Sequence, residues 1–256
     1  MSIGVEHADG TLRLTLDRPA QLNALTIGMV RALHVALDDA ARDEQVRVVV
    51  LAGAGRAFCS GVELGEGGAH TPEESETLLQ ATADLVTRIR DLPKPVVAAV
   101  GGPAAGVGVS LVLAADLAIA RADSYLALPF AGLGLMPDGG ATLLLAAAGG
   151  RAVALRLALL GERLAAPDAV THGLIAAAVE PEEYDARVAA VVSRLASGPT
   201  LALGRTKQAV NAASIAELRA ALDREIQGQM ALIGSEDFAE AMKAWAERRA
   251  AVFQGR

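Results

Sequence analysis

The sequence predicts an α/β fold, and three observations carry that reading. Apolar runs with strand character alternate with segments of helical periodicity as far as about residue 180. Two of the runs end in glycine corners, where a strand hands over to a helix. Capping signals open helices at the expected distance from the runs.

Taken in order, residues 5–16 alternate apolar and polar side chains around Asp9-Gly10, which predicts an edge hairpin. Residues 26–41 carry Met29, Val30, Leu33, Leu37 and Ala40 at helical spacing. The run Val46-Arg47-Val48-Val49-Val50-Leu51-Ala52-Gly53 is a buried strand and leads to the first corner, Phe58-Cys59-Ser60-Gly61-Val62-Glu63-Leu64. A glycine-rich loop over 65–70 is expected to be mobile. Thr71-Pro72-Glu73-Glu74 is a capping box, and its helix runs to about Arg90. The strand Pro95-Val96-Val97-Ala98-Ala99-Val100 then leads to the second corner, Gly101-Gly102-Pro103-Ala104-Ala105-Gly106-Val107-Gly108, which opens an apolar helix. A helix is expected over 141–148, a short one over 167–172 stopped by Gly173, and a last strand over 174–179. From Pro181 onward every segment reads as helix, broken at Gly198-Pro199, at 212–214 and at Gly234-Ser235. A boundary near Gly198 divides a core of residues 1–197 from a helical segment, 198–256, whose apolar face needs the core or another subunit to cover it.

Composition narrows the function classes. A net charge of −7 and no cluster of basic residues argue against nucleic acid. Lys94, Lys207 and Lys243 are the only lysines. The single cysteine, Cys59, excludes an intrachain disulfide framework and a cysteine zinc site, and the four histidines are too scattered for a metal centre. The N-terminus has no signal-peptide pattern, and the apolar stretches at 107–117 and 142–148 fall short of the roughly 20 residues that span a bilayer. The expectation is a cytoplasmic protein without a membrane partner.

Glycine corners let a backbone turn its N–H groups toward a ligand, and a helix starting there adds partial positive charge. Two corners facing one point make an oxyanion hole, a pair of fixed donors for a carbonyl oxygen that gains charge.

These motifs resemble those of the crotonase, or enoyl-CoA hydratase/isomerase, superfamily over nearly the whole chain. Leu16-Asp17-Arg18-Pro19-Ala20-Gln21-Leu22-Asn23-Ala24-Leu25 is similar to its N-terminal signature, the two corners to its oxyanion segments, and Gly134-Leu135-Met136-Pro137-Asp138-Gly139-Gly140-Ala141-Thr142 to a third motif. Ser235-Glu236-Asp237 and Glu247-Arg248-Arg249 match its C-terminal helices. The resemblance implies a crotonase-like spiral of ββα units with a helical C-terminal segment, assembled as a homotrimer or dimer of trimers. It implies an acyl-CoA ligand whose thioester carbonyl is held by the backbone N–H groups of Val62 and Val107. It places Ala24, Leu25, Ser60, Gly61, Glu63, Leu64, Gly106, Ser110 and Phe130 along the ligand and Arg248 at a CoA phosphate, of its own or of a neighbouring subunit. No cofactor is implied beyond the coenzyme A of the substrate.

The family's hydratases add water with two glutamates, whose positions here are Ser110 and Phe130. Neither side chain can hold and give a proton at that task. The pattern resembles the isomerase branch instead, closest to its ring-epoxide isomerases, in which an aspartate at the position of Asp138 moves the proton. That branch shifts a double bond, or opens an aryl epoxide to a seven-membered ring. Two rival readings stand beside it, an enoyl-CoA hydratase and a non-catalytic acyl-CoA-binding protein.

Several residues carry a second, structural reading. Asp138 in Pro-Asp-Gly-Gly is also good turn and helix-cap chemistry. Ser110 is expected to bond a backbone carbonyl one turn back. Phe130 is expected to wall the acyl pocket, Cys59 to be a small packed residue, and His70 to lie in a surface loop.

Overall fold

The computed structural model describes residues 2–63 and 71–256. The loop expectation over 65–70, and with it Leu64 and His70, lies outside the described residues.

Strands β1 (Ile3–Ala8) and β2 (Thr11–Leu16) form the expected hairpin. Asp9 and Gly10 take φ of 48° and 75°, the left-handed pair that suits a tight two-residue hairpin turn. Helix α1 (Ile27–Arg42) begins at Thr26, whose hydroxyl accepts from the Met29 N–H. It buries the five apolar residues that its spacing marked. Strand β3 (Val48–Gly53) is followed by α2 (Pro72–Asp91), with both halves of the Thr71–Glu74 capping box in place. Strand β4 (Val96–Val100), the two-residue β5 (Ala104–Ala105), α3 (Val107–Ala114), β6 (Leu117–Arg121) and β7 (Tyr125–Ala127) continue the alternation. A 3-10 turn at Pro129–Leu133 leads toward α4 (Ala141–Leu160). Then come β8 (Arg163–Ala165), α5 (Ala166–Thr171), β9 (Ala177–Val179) and the helices α6 (Pro181–Ala196), α7 (Thr200–Ser214), α8 (Leu218–Ile233) and α9 (Glu236–Ala246).

The main sheet runs β1-β2-β3-β4-β6-β9 and is parallel from β2 onward. Parallel strands need crossovers, and α1, α2 and α3 supply the first three. Val48, Val49, Val50 and Leu51 are all buried because both faces of the sheet are covered. One face packs against α1 to α3, and the other, through Val48, Val50, Val97 and Ile119, against Val188 and Ala196 of α6. A smaller sheet, β5-β7-β8, carries the second corner.

The structure changes one expectation here and meets another. The helix expected over 141–148 extends to Leu160, so this apolar segment is long enough by length and composition to cross a membrane. Gly150, at φ 79° and ψ 161°, kinks it into two pieces, and Leu144, Leu145, Ala154 and Leu157 bury one side against the core. The helices after Gly198 also share the core. Leu218 and Leu222 of α8 join the main apolar cluster. Lys207 of α7 is buried, pairs with Asp116 at 2.9 Å and donates to the carbonyl of Ile89.

Candidate active site

The two corners lie side by side. The Phe58 N–H donates to the Pro103 carbonyl at 3.0 Å, and the Ala105 N–H to the Cys59 carbonyl at 2.8 Å. Gly61 and Gly106 face each other with φ of 104° and 54°. A Cβ on Gly61 would stand 3.3 Å from the Ala105 carbonyl oxygen and 3.8 Å from the Val107 nitrogen. Only glycine combines that backbone conformation with that approach.

Val107 is the first residue of α3, so its N–H has no intrahelical acceptor. The N–H groups of Val62 and Val107 find no acceptor among the described residues. Both residues line a cavity of about 160 Å³.

The N-terminal signature fixes the first corner from behind. Asn23 is fully buried at φ 58°, and its amide donates to the carbonyls of Ala54 and Ala57 while its Oδ1 accepts from the Arg18 N–H. Arg18 reaches the Ala24 carbonyl and forms an ion pair with Glu63 at 2.7 Å. Leu25 pairs with Val62 in a bridge, donating to the Gly61 carbonyl and accepting from the Glu63 N–H. Ala24, Leu25 and Glu63 therefore set the corner's position and do not line the cavity.

The cavity is walled by apolar side chains, including Leu78 and Leu79 of α2, Phe130 and Leu133 of the 3-10 turn, Leu222, Ile226 and Ile233 of α8, and Phe238 of α9. Ser60, Gly61 and Gly106 also line it. Among the described residues, Asp138 is its only titratable lining residue. Asp138 is 6% exposed, and its Oδ2 accepts from the Gln229 amide at 2.9 Å. Among the described residues its buried Oδ1 has no hydrogen-bond partner, nor has the hydroxyl of Thr82 on the same cavity. Burial pushes the Asp138 carboxyl up to about 7; the Gln229 bond pulls it down and the charge of Glu225 pushes it further up.

The structure overturns the helix-cap reading of Asp138. The N-cap of α4 is Gly140, and no side chain at that position caps it. Glu225 of α8 takes the role, its carboxylate accepting from Gly140 N–H at 2.6 Å and from the N–H and hydroxyl of Thr142. A carboxylate from a distant helix thus satisfies the orphan donors and meets the positive end of α4. The Ser110 expectation is corrected too. Its hydroxyl donates to the Asp138 backbone carbonyl at 2.8 Å, 28 residues along the chain, and so braces the Asp138 turn.

Phe130 stands on the cavity as expected. Cys59 is fully buried, and burial pushes its thiol up to about 12, so no thiolate nucleophile is available. Arg248 is not brought to the cavity; it borders a separate surface depression with Trp245 and Arg249. Sequence reasoning missed Thr82, Glu225 and Gln229. A signal existed for the last two: they are polar residues four apart on the face of α8 that also carries Leu218 and Leu222.

Comparison with known proteins shows the family and the fold. The sequence model of the enoyl-CoA hydratase/isomerase family matches residues 6–256. A 1,2-epoxyphenylacetyl-CoA isomerase of Escherichia coli is 37% identical, with all of both chains covered. A probable enoyl-CoA hydratase of Rhodobacter capsulatus is 40% identical, covering all of this chain and 98% of the relative. The crystal structure of an enoyl-CoA hydratase from Mycobacterium avium subsp. paratuberculosis superposes with a TM-score of 0.92 at 43% identity, covering 99% of each chain.

Proposed function

The chain belongs to the enoyl-CoA hydratase/isomerase family, and from that premise we propose that it is an acyl-CoA isomerase that moves one proton with Asp138. One observation carries the choice of isomerase over hydratase: among the described residues the cavity holds a single titratable group, and the two positions where a hydratase of this family keeps glutamates hold Ser110 and Phe130. Adding water across a double bond uses one group to activate the water and another to supply the proton. Moving a double bond needs one group that takes a proton and returns it.

In the proposed reaction the thioester carbonyl oxygen accepts hydrogen bonds from the N–H groups of Val62 and Val107. The Asp138 carboxylate takes a proton from C2 of a 3-enoyl-CoA. The electron pair moves into an enolate conjugated with the C3–C4 double bond, its charge on the thioester oxygen. Asp138 then delivers the proton to C4, and the double bond ends between C2 and C3. Each donor contributes roughly 10²–10³ in rate, because it meets charge that exists only near the transition state. A carboxyl raised to about 7 is nearly matched to accepting and returning a proton at neutral pH.

Two assays test this. 3-Enoyl-CoA is turned over, and crotonyl-CoA is hydrated at least about 10²-fold more slowly, the scale on which one acid–base group counts. Hydration at a comparable rate would return the protein to the hydratase reading. Binding without turnover of either would make it a non-catalytic acyl-CoA-binding protein.

Assembly as a homotrimer or dimer of trimers is part of the same proposal. Leu159 and Leu160 at the end of α4, and Leu201 and Val210 on α7, are exposed large apolar side chains. Closed cyclic assembly would cover such surface. Sedimentation equilibrium at micromolar concentration is expected to give a trimer or hexamer; a monomer would refute it.

A further inference from the structure

Helix α8 presents Glu225 and Gln229 one turn apart, and both grip the segment that carries Asp138. Gln229 is 2% exposed and bonded at both ends of its amide. The Met136 N–H donates to its Oε1 at 3.3 Å, and its Nε2 donates to Asp138 Oδ2 at 2.9 Å. A backbone N–H can only donate, so Met136 fixes which end of the amide faces the carboxylate. Gly228 allows the helix this close: a Cβ there would fall 2.3 Å from the Met136 sulfur.

The consequence is an asymmetric carboxylate. Oδ2 is held, and Oδ1 has no partner among the described residues. The backbone of Asp138 is held separately, by the Ser110 hydroxyl on its carbonyl. We propose that Gln229 is a positioning residue that holds Oδ2 of Asp138 and so makes Oδ1 the atom that takes and returns the proton. This rests on the isomerase reading and adds which oxygen reacts and what orients it.

The groups around Asp138 make the proposal testable by pH. From α2 comes Thr82, from α3 Ser110, from the 3-10 turn Phe130, and from α8 Leu222, Gln229 and Glu225. Of these only Glu225 ionises, and Arg224 is the charge nearest to it in effect. Gln229 favours the ionised carboxylate by donating to it, and Glu225 disfavours it by like charge. The two residues therefore move one titration in opposite directions.

The experiment is the pH dependence of kcat/KM for a 3-enoyl-CoA in the wild type, Gln229→Met and Glu225→Gln. Methionine keeps the length and apolar stem and removes the donor. The wild-type acid limb is expected near pH 7. In Gln229→Met it should move up by about one unit, with kcat falling about tenfold even above the limb because Oδ1 is no longer oriented, and KM within about threefold of wild type. In Glu225→Gln the limb should move down. Thermal unfolding of each variant separates these shifts from lost stability. An acid limb unmoved in Gln229→Met, or a change confined to KM or to unfolding temperature, would overturn the positioning role. Absence of any isomerisation by the wild type would instead overturn the reading beneath it.

Discussion

Asp138→Asn should lose double-bond migration by at least about 10²-fold while becoming more stable than the wild type at pH 8. Loss of rate follows from chemistry: an amide cannot take a proton from carbon, and no other titratable group among the described residues lines the cavity. The gain in stability follows from burial. An unfolded chain releases the Asp138 proton near pH 4, and the folded protein holds it to about 7. Between those values the folded state keeps a proton that the unfolded state has lost, so stability falls as pH rises, and above pH 7 the loss is complete. Asparagine carries no such cost and can still accept the Gln229 bond through its oxygen. The variant's advantage should be absent below pH 4 and reach about 2–4 kcal/mol above pH 7, a range that follows from a shift of about three units. Denaturant titrations at pH 5 and pH 8, beside a 3-enoyl-CoA assay, read both effects. Near wild-type turnover would remove Asp138 from the chemistry; a stability difference that does not grow with pH would show that the buried carboxyl is not raised.

Gly61→Ala should cost about 10²–10³ in kcat, as expected when one oxyanion donor is misplaced. The φ of 104° is strained for alanine, and the new Cβ would press on the Ala105 carbonyl at 3.3 Å. The peptide that carries the Val62 N–H must rotate to relieve both. Backbone strain of this kind costs about 1–3 kcal/mol, so a matched control is needed. Gly173 provides it: at φ 75°, with its nearest atom 3.4 Å from a built Cβ and no place on the cavity, Gly173→Ala should lose stability and keep its rate. Equal kcat in the two variants would mean that the carbonyl is not held at the first corner.

The elements legible in sequence are those whose cause is local. The hairpin follows from Asp9-Gly10, α1 from its apolar spacing, and α2 from its capping box. The helix breaks at Gly198-Pro199 and Gly234-Ser235 also fall where turn residues stand. Strands β5 and β8 escaped notice because two or three residues carry no periodicity. The corners of the site were legible because each places glycine shortly after a strand. Their mutual contact and their N-terminal buttress through Asn23 were not, since they join positions tens of residues apart. The environment of Asp138 was least legible. Sequence alone gave it a helix-cap alternative, and the residue that really caps α4 is Glu225, 85 positions from Gly140. Local propensity identifies a good cap; it cannot say that a better acceptor arrives from elsewhere in the fold.

The grip of α8 on the Asp138 turn also orders events during synthesis. Both glycine corners, and the small sheet that carries the second, have been synthesised once the ribosome has passed β8. The carboxyl beside them waits for Glu225 and Gln229, 60 and 64 residues later. On the proposed mechanism, a nascent chain thus holds both corners before it has an oriented proton carrier.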